Sequence, residues 1–258
     1  MRWRRVLPVV IPLVIASGPL RAATGALPGL STGTSARYQS CVALTKSDAN
    51  SAYEQALAWH SGGGGAAAEH CGALALVQLG RYGEAAPKLD ALAQERALAP
   101  GARAQLFDQA GNIWLLAEDA VRAELSFSNA LGLAPGDIDT LADRARARAM
   151  RKNWSGADAD LSAALARDGD RADLLVLRAS ARHAMGRKSD ARADIDEALD
   201  IFPGYGDALV ERGAMKFEDG NTAGARADWQ LVVKSAPRSR AAALAGEYLS
   251  QLDAPATK

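Results

Sequence analysis

The sequence predicts an all-α fold, a solenoid of stacked antiparallel helix pairs. Two observations predict it: a 34-residue internal period, and small residues recurring at helical spacing within each period. Ala123, Ala157, Ala191 and Ala225 lie 34 apart, as do Leu141, Leu175 and Leu209, and as do Ala130, Ala164 and Ala198 with Val232 next. Pro135, Pro203 and Pro237 close three units, and Gly169 takes that place in the fourth. The overlay sets units at 104–137, 138–171, 172–205 and 206–239. An earlier unit, 66–103, carries Gly80-Arg81-Tyr82-Gly83-Glu84-Ala85, with Ala85 placed 38 residues before Ala123, about one extra helical turn.

Each unit divides into two helices. In 172–205, Leu175, Ala179 and Arg182 follow i, i+4, i+7, the break Met185-Gly186-Arg187 intervenes, and Ala191, Ile195 and Ala198 resume the spacing before Pro203 stops it. Alanine at these positions lets two helix backbones approach, with a large apolar neighbour filling the groove beside it. One hairpin cannot bury its apolar face alone, so stability must come from stacking.

The pattern of large apolar residue, small residue, turn glycine, Ala, large apolar residue, Ala and Pro resembles the tetratricopeptide repeat. Unit 104–137 matches it best, through Phe107, Gly111, Trp114, Ala123, Phe127, Ala130 and Pro135; unit 66–103 adds Gly80, Tyr82, Ala85 and Leu89. The pattern departs where Arg144, Arg178 and Arg212 replace an apolar residue, and where Glu118 and Lys152 replace the turn glycine. The resemblance spans residues 66–239 and implies a right-handed superhelix whose first helices line a concave groove for peptides or partner proteins. Carried over position by position, it puts His70, Leu74, Gln105, Asp108, Asn112, Leu115, Arg146, Met150, Val176, His183, Val210 and Phe217 in that groove. Only Asn112 and Arg146 stand where some family members clamp a carboxylate, so an extended or helical segment suits the mixed lining better.

Outside the repeats, Arg2, Arg4 and Arg5 precede an apolar run of 11 from Val6 to Ala16, and Ala22-Ala23 follow, the layout of a cleaved signal peptide over 1–23. Eleven residues rise only about 16 Å as a helix against a hydrocarbon core of about 30 Å, so an uncleaved inner-membrane anchor is the alternative. Residues 24–34 form a flexible lead, and 35–65 a degenerate hairpin with Tyr38, Cys41 and Leu44 on one face, then Tyr53, Leu57 and Trp59, ending in a glycine spacer. Residues 240–253 form a capping helix with Leu244, Tyr248 and Leu252 on its inner face, and 254–258 a tail. Pro87 should delay or kink its helix.

The chain holds 30 basic and 30 acidic residues. Cleavage removes Arg2, Arg4, Arg5 and Arg21 and no acid, leaving 26 against 30, which argues against nucleic acid as partner. Cys41 and Cys71 are the only cysteines, and in an exported chain an even count points to a disulfide. Cys41 lies one turn beyond the place equivalent to Cys71 one period earlier, and closing the 30-residue loop is worth about 3.6 kcal/mol. Two buried free thiols, or a redox pair, are the alternatives. His60, His70 and His183 are scattered, so no metal site is expected. The glycine run lacks a following Lys-Ser/Thr, so no cofactor phosphate is expected there, and no catalytic motif or small-molecule substrate is evident. Asn153-Trp154-Ser155 fits a glycosylation acceptor.

Arg144, Arg178 and Arg212 share one repeat position, with Arg148, Arg182 and Lys216 four residues on, while Asp160, Asp194 and Asp228 recur on the second helices. This predicts an Arg–Asp ladder tying helices together. Asp139, Asp173 and Asp207 recur near first-helix starts, where the helix dipole favours them. The expectation is a non-catalytic periplasmic scaffold of a Gram-negative bacterium, binding a protein or peptide in envelope assembly or maturation, with self-association through the groove as a further expectation. A thiol-redox or other enzyme using Cys41 and Cys71, and a membrane-anchored adaptor, stand against it.

Overall fold

A computed structural model describes residues 35–253; the expected signal segment, lead and tail lie outside the described residues. Among the described residues thirteen α-helices follow one another: α1 (Ser35–Ser47), α2 (Ala49–Trp59), α3 (Gly65–Gln78), α4 (Tyr82–Ala93), α5 (Pro100–Leu116), α6 (Ala120–Leu133), α7 (Ile138–Met150), α8 (Trp154–Leu165), α9 (Ala172–Ala184), α10 (Lys188–Ile201), α11 (Gly206–Glu218), α12 (Thr222–Ser235) and α13 (Arg240–Asp253). The chain divides into two units, one ending at Gly156 and the other beginning at Ala157.

The turns inside the hairpins repeat because their backbone chemistry repeats. Gly80, Gly186 and Gly220 adopt φ of 71°, 76° and 82° just past the first helix of their hairpins. Glu118 and Lys152 take the same turn at φ 60° and 61°, where only the lack of a Cβ makes the conformation cheap. The following N–H reaches back five residues each time: Arg81 to Leu76, Asp119 to Trp114, Asn153 to Arg148, Arg187 to Arg182 and Asn221 to Lys216, all at 2.8–2.9 Å. This closes the orphan carbonyls of the helix end. Asp119, Asp137, Asn153 and Asn221 then cap the next helix by accepting the N–H three residues on. The cap of α7 is therefore Asp137; Asp139, Asp173 and Asp207 sit inside first turns.

In the first unit α1 packs on α2 and α3, and each later helix packs on its successor through α7. Ala85, Ala123, Leu89 and Phe127 are fully buried. The hairpin of α1 and α2 is pinned to α3 by the Cys41–Cys71 disulfide, with Cα atoms 6.1 Å apart and both residues buried. Leu57 is 47% exposed, so α2 turns Ala52, Ala56 and Trp59 inward instead. Asp48 and the positive φ at Gly63 and Gly65 make the two corners around α2. α4 starts at Tyr82 regardless of Pro87: the proline ring is exposed, and the helix forgoes one hydrogen bond without being delayed.

In the second unit α9 packs on α10 and α11, α11 on α12, and α13 on both α11 and α12. Ala191, Ala225, Ile195, Ala198 and Val232 are fully buried. The inner face of α13 is Ala241, Ala242, Ala245 and Tyr248; Leu244 and Leu252 are only half-buried. Tyr248 meets the Trp229 ring at 5.0 Å, and the alanines let α13 lie close, which a leucine face would not.

Candidate functional site

Three first helices of the first unit, α3, α5 and α7, are joined by buried polar bonds. His70, fully buried, stands between Tyr38 and Gln109: the Tyr38 hydroxyl lies 2.6 Å from Nδ1, and Nε2 lies 2.8 Å from Gln109 Oε1. A neutral imidazole satisfies both, accepting from the hydroxyl and donating to the amide oxygen. Burial pushes the His70 pKa down to about 4, with the Gln109 bond opposing.

One repeat on, Asn112 Nδ2 donates to Asp143 Oδ2 at 3.2 Å and to the Asp108 carbonyl at 3.1 Å, and Thr140 Oγ1 donates to Asp108 Oδ1 at 2.9 Å. Arg146 pairs with Asp143. Burial raises the Asp143 pKa in spite of Arg146 and Asn112. Asn112 Oδ1 and Arg146 Nε are buried and meet no hydrogen-bond partner among the described residues. Gln105 is exposed above this seam, with Asp108, Arg146 and Met150 half-buried around it.

The second unit repeats the arrangement between α9 and α11. The Ser180 hydroxyl donates to Glu211 Oε1 at 3.0 Å, while Glu211 Oε2 is buried without a partner. Burial, with Asp207 and Glu218 adding and Ser180 opposing, pushes the Glu211 pKa up to about 7. His183 contacts Glu218 at 3.0 Å, and the Phe217 ring lies 6.2 Å from Trp229.

No protein-family model and no curated protein sequence matches the chain. Solved structures do. A tetratricopeptide repeat protein from Parabacteroides merdae aligns at 16% identity and TM-score 0.57, covering 86% of this chain and 86% of that one. YrrB, described as a TPR protein with an unusual peptide-binding site, aligns at 16% identity and TM-score 0.55 over 75% of this chain and 96% of its own. MamA from Desulfovibrio magneticus aligns at 19% identity and TM-score 0.55 over 63% and 89%. The fold is the tetratricopeptide-repeat fold.

Against that fold, the expected groove residues separate into two groups. Gln105 is exposed, and Asp108, Arg146, Met150, His183 and Phe217 are partly buried. His70, Leu74, Asn112, Leu115, Val176 and Val210 are buried in the free chain. The reason is the seam between successive first helices. Asp108 shows that its repeat position faces the next first helix, and Val176 and Val210 occupy the same position of their own tetratricopeptide units.

The ladder residues are spread over both units. Arg178 makes a two-pronged pair with Asp194 at 2.8 and 3.1 Å, and Arg212 does the same with Asp228 at 2.8 and 3.0 Å, each joining the two helices of one hairpin. Arg182 and Lys216 add 2.8 Å bonds to the same carboxylates. Arg144 reaches Ser128 on α6 at 3.4 Å, and Asp160 is buried. Bonds back to the preceding hairpin come from Arg148 to Glu124 at 3.0 Å and Arg182 to Asp158 at 2.8 Å. Sequence reasoning missed Glu124, Asp158, Gln109, Asp143 and Glu211. A signal existed: Glu124 and Asp158 are 34 apart, as are Gln109 and Asp143, and Glu211 falls two periods beyond Asp143. Cys41 on α1 and Cys71 on α3 are joined in a disulfide, and both residues are buried.

Proposed function

We propose that the chain is a non-catalytic scaffold that holds a peptide segment or partner protein against the α5–α7 seam. The observation that carries this is the pair of buried, unpartnered polar atoms Asn112 Oδ1 and Arg146 Nε at a seam bordered by partly buried Asp108 and Met150 and exposed Gln105. Polar groups left unsatisfied at a half-open seam favour an incoming donor or acceptor, because each costs free energy while unmet. A backbone segment offers both kinds of group. The fold shared with YrrB, whose description names a peptide-binding site, supports the same reading.

The N-terminal pattern of arginines, apolar run and small residues supports export, and the chain then works in the periplasm as part of envelope assembly or maturation. Mass measurement of the N-terminus recovered from the envelope tests this; an intact Met1 would point to the anchored adaptor. For the seam, a photo-crosslinking residue at Gln105 or Met150 should trap a partner in the envelope that the same residue at Arg192 does not. The triple variant Gln105→Ala, Asp108→Ala, Arg146→Ala should lose it at unchanged helicity. Equal trapping at Gln105 and Arg192 would overturn the assignment.

A further inference from the structure

We propose that two copies of the chain pair about a two-fold axis, the Val121–Leu125 ridge of each copy entering the cleft between α2, α3 and α4 of the other. The cleft has a volume of about 620 Å³ and is walled by Tyr53, Leu57, Gly72, Gly83, Pro87 and Ala91. Small residues make it: a Cβ placed at Gly83 would meet nothing within 4 Å. Its lining is chiefly apolar, and Leu57 stands 47% exposed on one wall.

The repeat itself identifies what fits. With the 38-residue offset, Gly83 and Pro87 of α4 correspond to Val121 and Leu125 of α6. The later hairpins carry Ser155 and Ala159, Ser189 and Ala193, and Ala223 and Ala227 at the same two positions. The fold therefore does not need large aliphatic side chains there. Only this hairpin has them, and they are 60% and 61% exposed. At i and i+4 they form one ridge.

Hole and ridge occupy equivalent positions on second helices one hairpin apart, and α6 is tied to α4 by the 2.7 Å bond from Ser126 to Asp90. They consequently face the same side of the same unit. Two copies facing each other fill both clefts at once, the reciprocal contact that closes a dimer and leaves no ridge exposed. The rims carry opposite charges: Lys88 lines the cleft, and exposed Glu118 lies in the α5–α6 turn three residues before Val121. The other nearby charges are already engaged, Glu84 with Arg81, Glu69 with His60 and Arg122 with Asp119. This contact does not depend on the α5–α7 seam.

The test is sedimentation velocity on the protein purified, in the form its host processes it, from expression of the full gene. The wild type should dimerise with rising concentration. Val121→Ser with Leu125→Ala installs residues the other hairpins already carry, so it should sediment as a monomer with an unchanged thermal melt. Leu57→Glu should also be monomeric. Mixing these two variants should restore association, since one intact ridge then meets one intact cleft. A wild type that stays monomeric, a Val121→Ser/Leu125→Ala variant that dimerises like it, or a mixture that fails to associate would each overturn the proposal. Variants of Gln105 and Arg146 should leave the dimer unaffected, so failure here and failure of the seam are told apart.

Discussion

Gly111 and Phe127 fit each other across the α5–α6 hairpin: a Cβ on Gly111 would lie 2.6 Å from the Phe127 ring. The same exchange recurs three periods on, where Gly213 lies beneath Trp229. Ala73 with Leu89 and Ala179 with Ile195 hold the equivalent places in other hairpins, all four fully buried. An aromatic second helix thus goes with glycine, and an aliphatic one with alanine. Gly111→Ala should destabilise by about 1–3 kcal/mol through overpacking, despite the helix preference for alanine. Adding Phe127→Leu should recover most of it. Urea denaturation of the three proteins decides; a double variant no more stable than Gly111→Ala sinks the pairing.

Glu118 and Lys152 adopt the left-handed turn that glycine makes in the sister hairpins. Replacing either with glycine relieves a conformational cost of about 1–2 kcal/mol, partly offset by the freer unfolded chain. The expected gain is about 0.5–1 kcal/mol each, read as a higher denaturation midpoint. A fall in midpoint would show that these side chains hold something the turn geometry does not reveal.

Asp194 is 3% exposed and faces two arginines, Arg178 and Arg182, exposed by 16% and 15%. Asp194→Ala leaves both guanidinium groups poorly compensated in a dry seam, and should cost about 3 kcal/mol or more. The surface pair Arg187–Asp190 offers the contrast, and Asp190→Ala should cost no more than about 1 kcal/mol. Comparable losses from the two would contradict the burial argument.

His70 and Glu211 should respond to acid in opposite directions. His70 has its folded pKa lowered to about 4 from 6.5, so the folded protein resists protonation; its stabilisation is complete above about pH 6.5 and is lost as pH falls toward 4. Glu211 has its folded pKa raised to about 7 from 4.5, so its stabilisation is complete below 4.5 and is lost as pH rises through 7. Amide exchange at pH 5 and pH 8 should show α3, which carries His70, better protected at the higher pH and α9 and α11 at the lower. Glu211→Gln keeps the acceptor for Ser180 and should flatten the response of the second unit alone. Parallel responses in both units would refute this.

The sequence by itself determined the hairpin stack. Its 34-residue period marks the alanines that become fully buried, and the prolines and glycines that stop helices, because a repeated local spacing gives the same helix face each time. Two cysteines in a chain with an export pattern were enough to point to the bridge between α1 and α3. Only the tertiary structure decided which first-helix residues stay open. Asn112 contacts Asp143, 31 residues away, and His70 contacts Gln109, 39 away; neither separation is a multiple of 34. Such separations depend on how neighbouring helices cross, and a one-dimensional period carries no crossing angle. The same limit hid the burial of Val176 and Val210 and the exposure of Leu57, since each residue sits on a face whose neighbour is another hairpin.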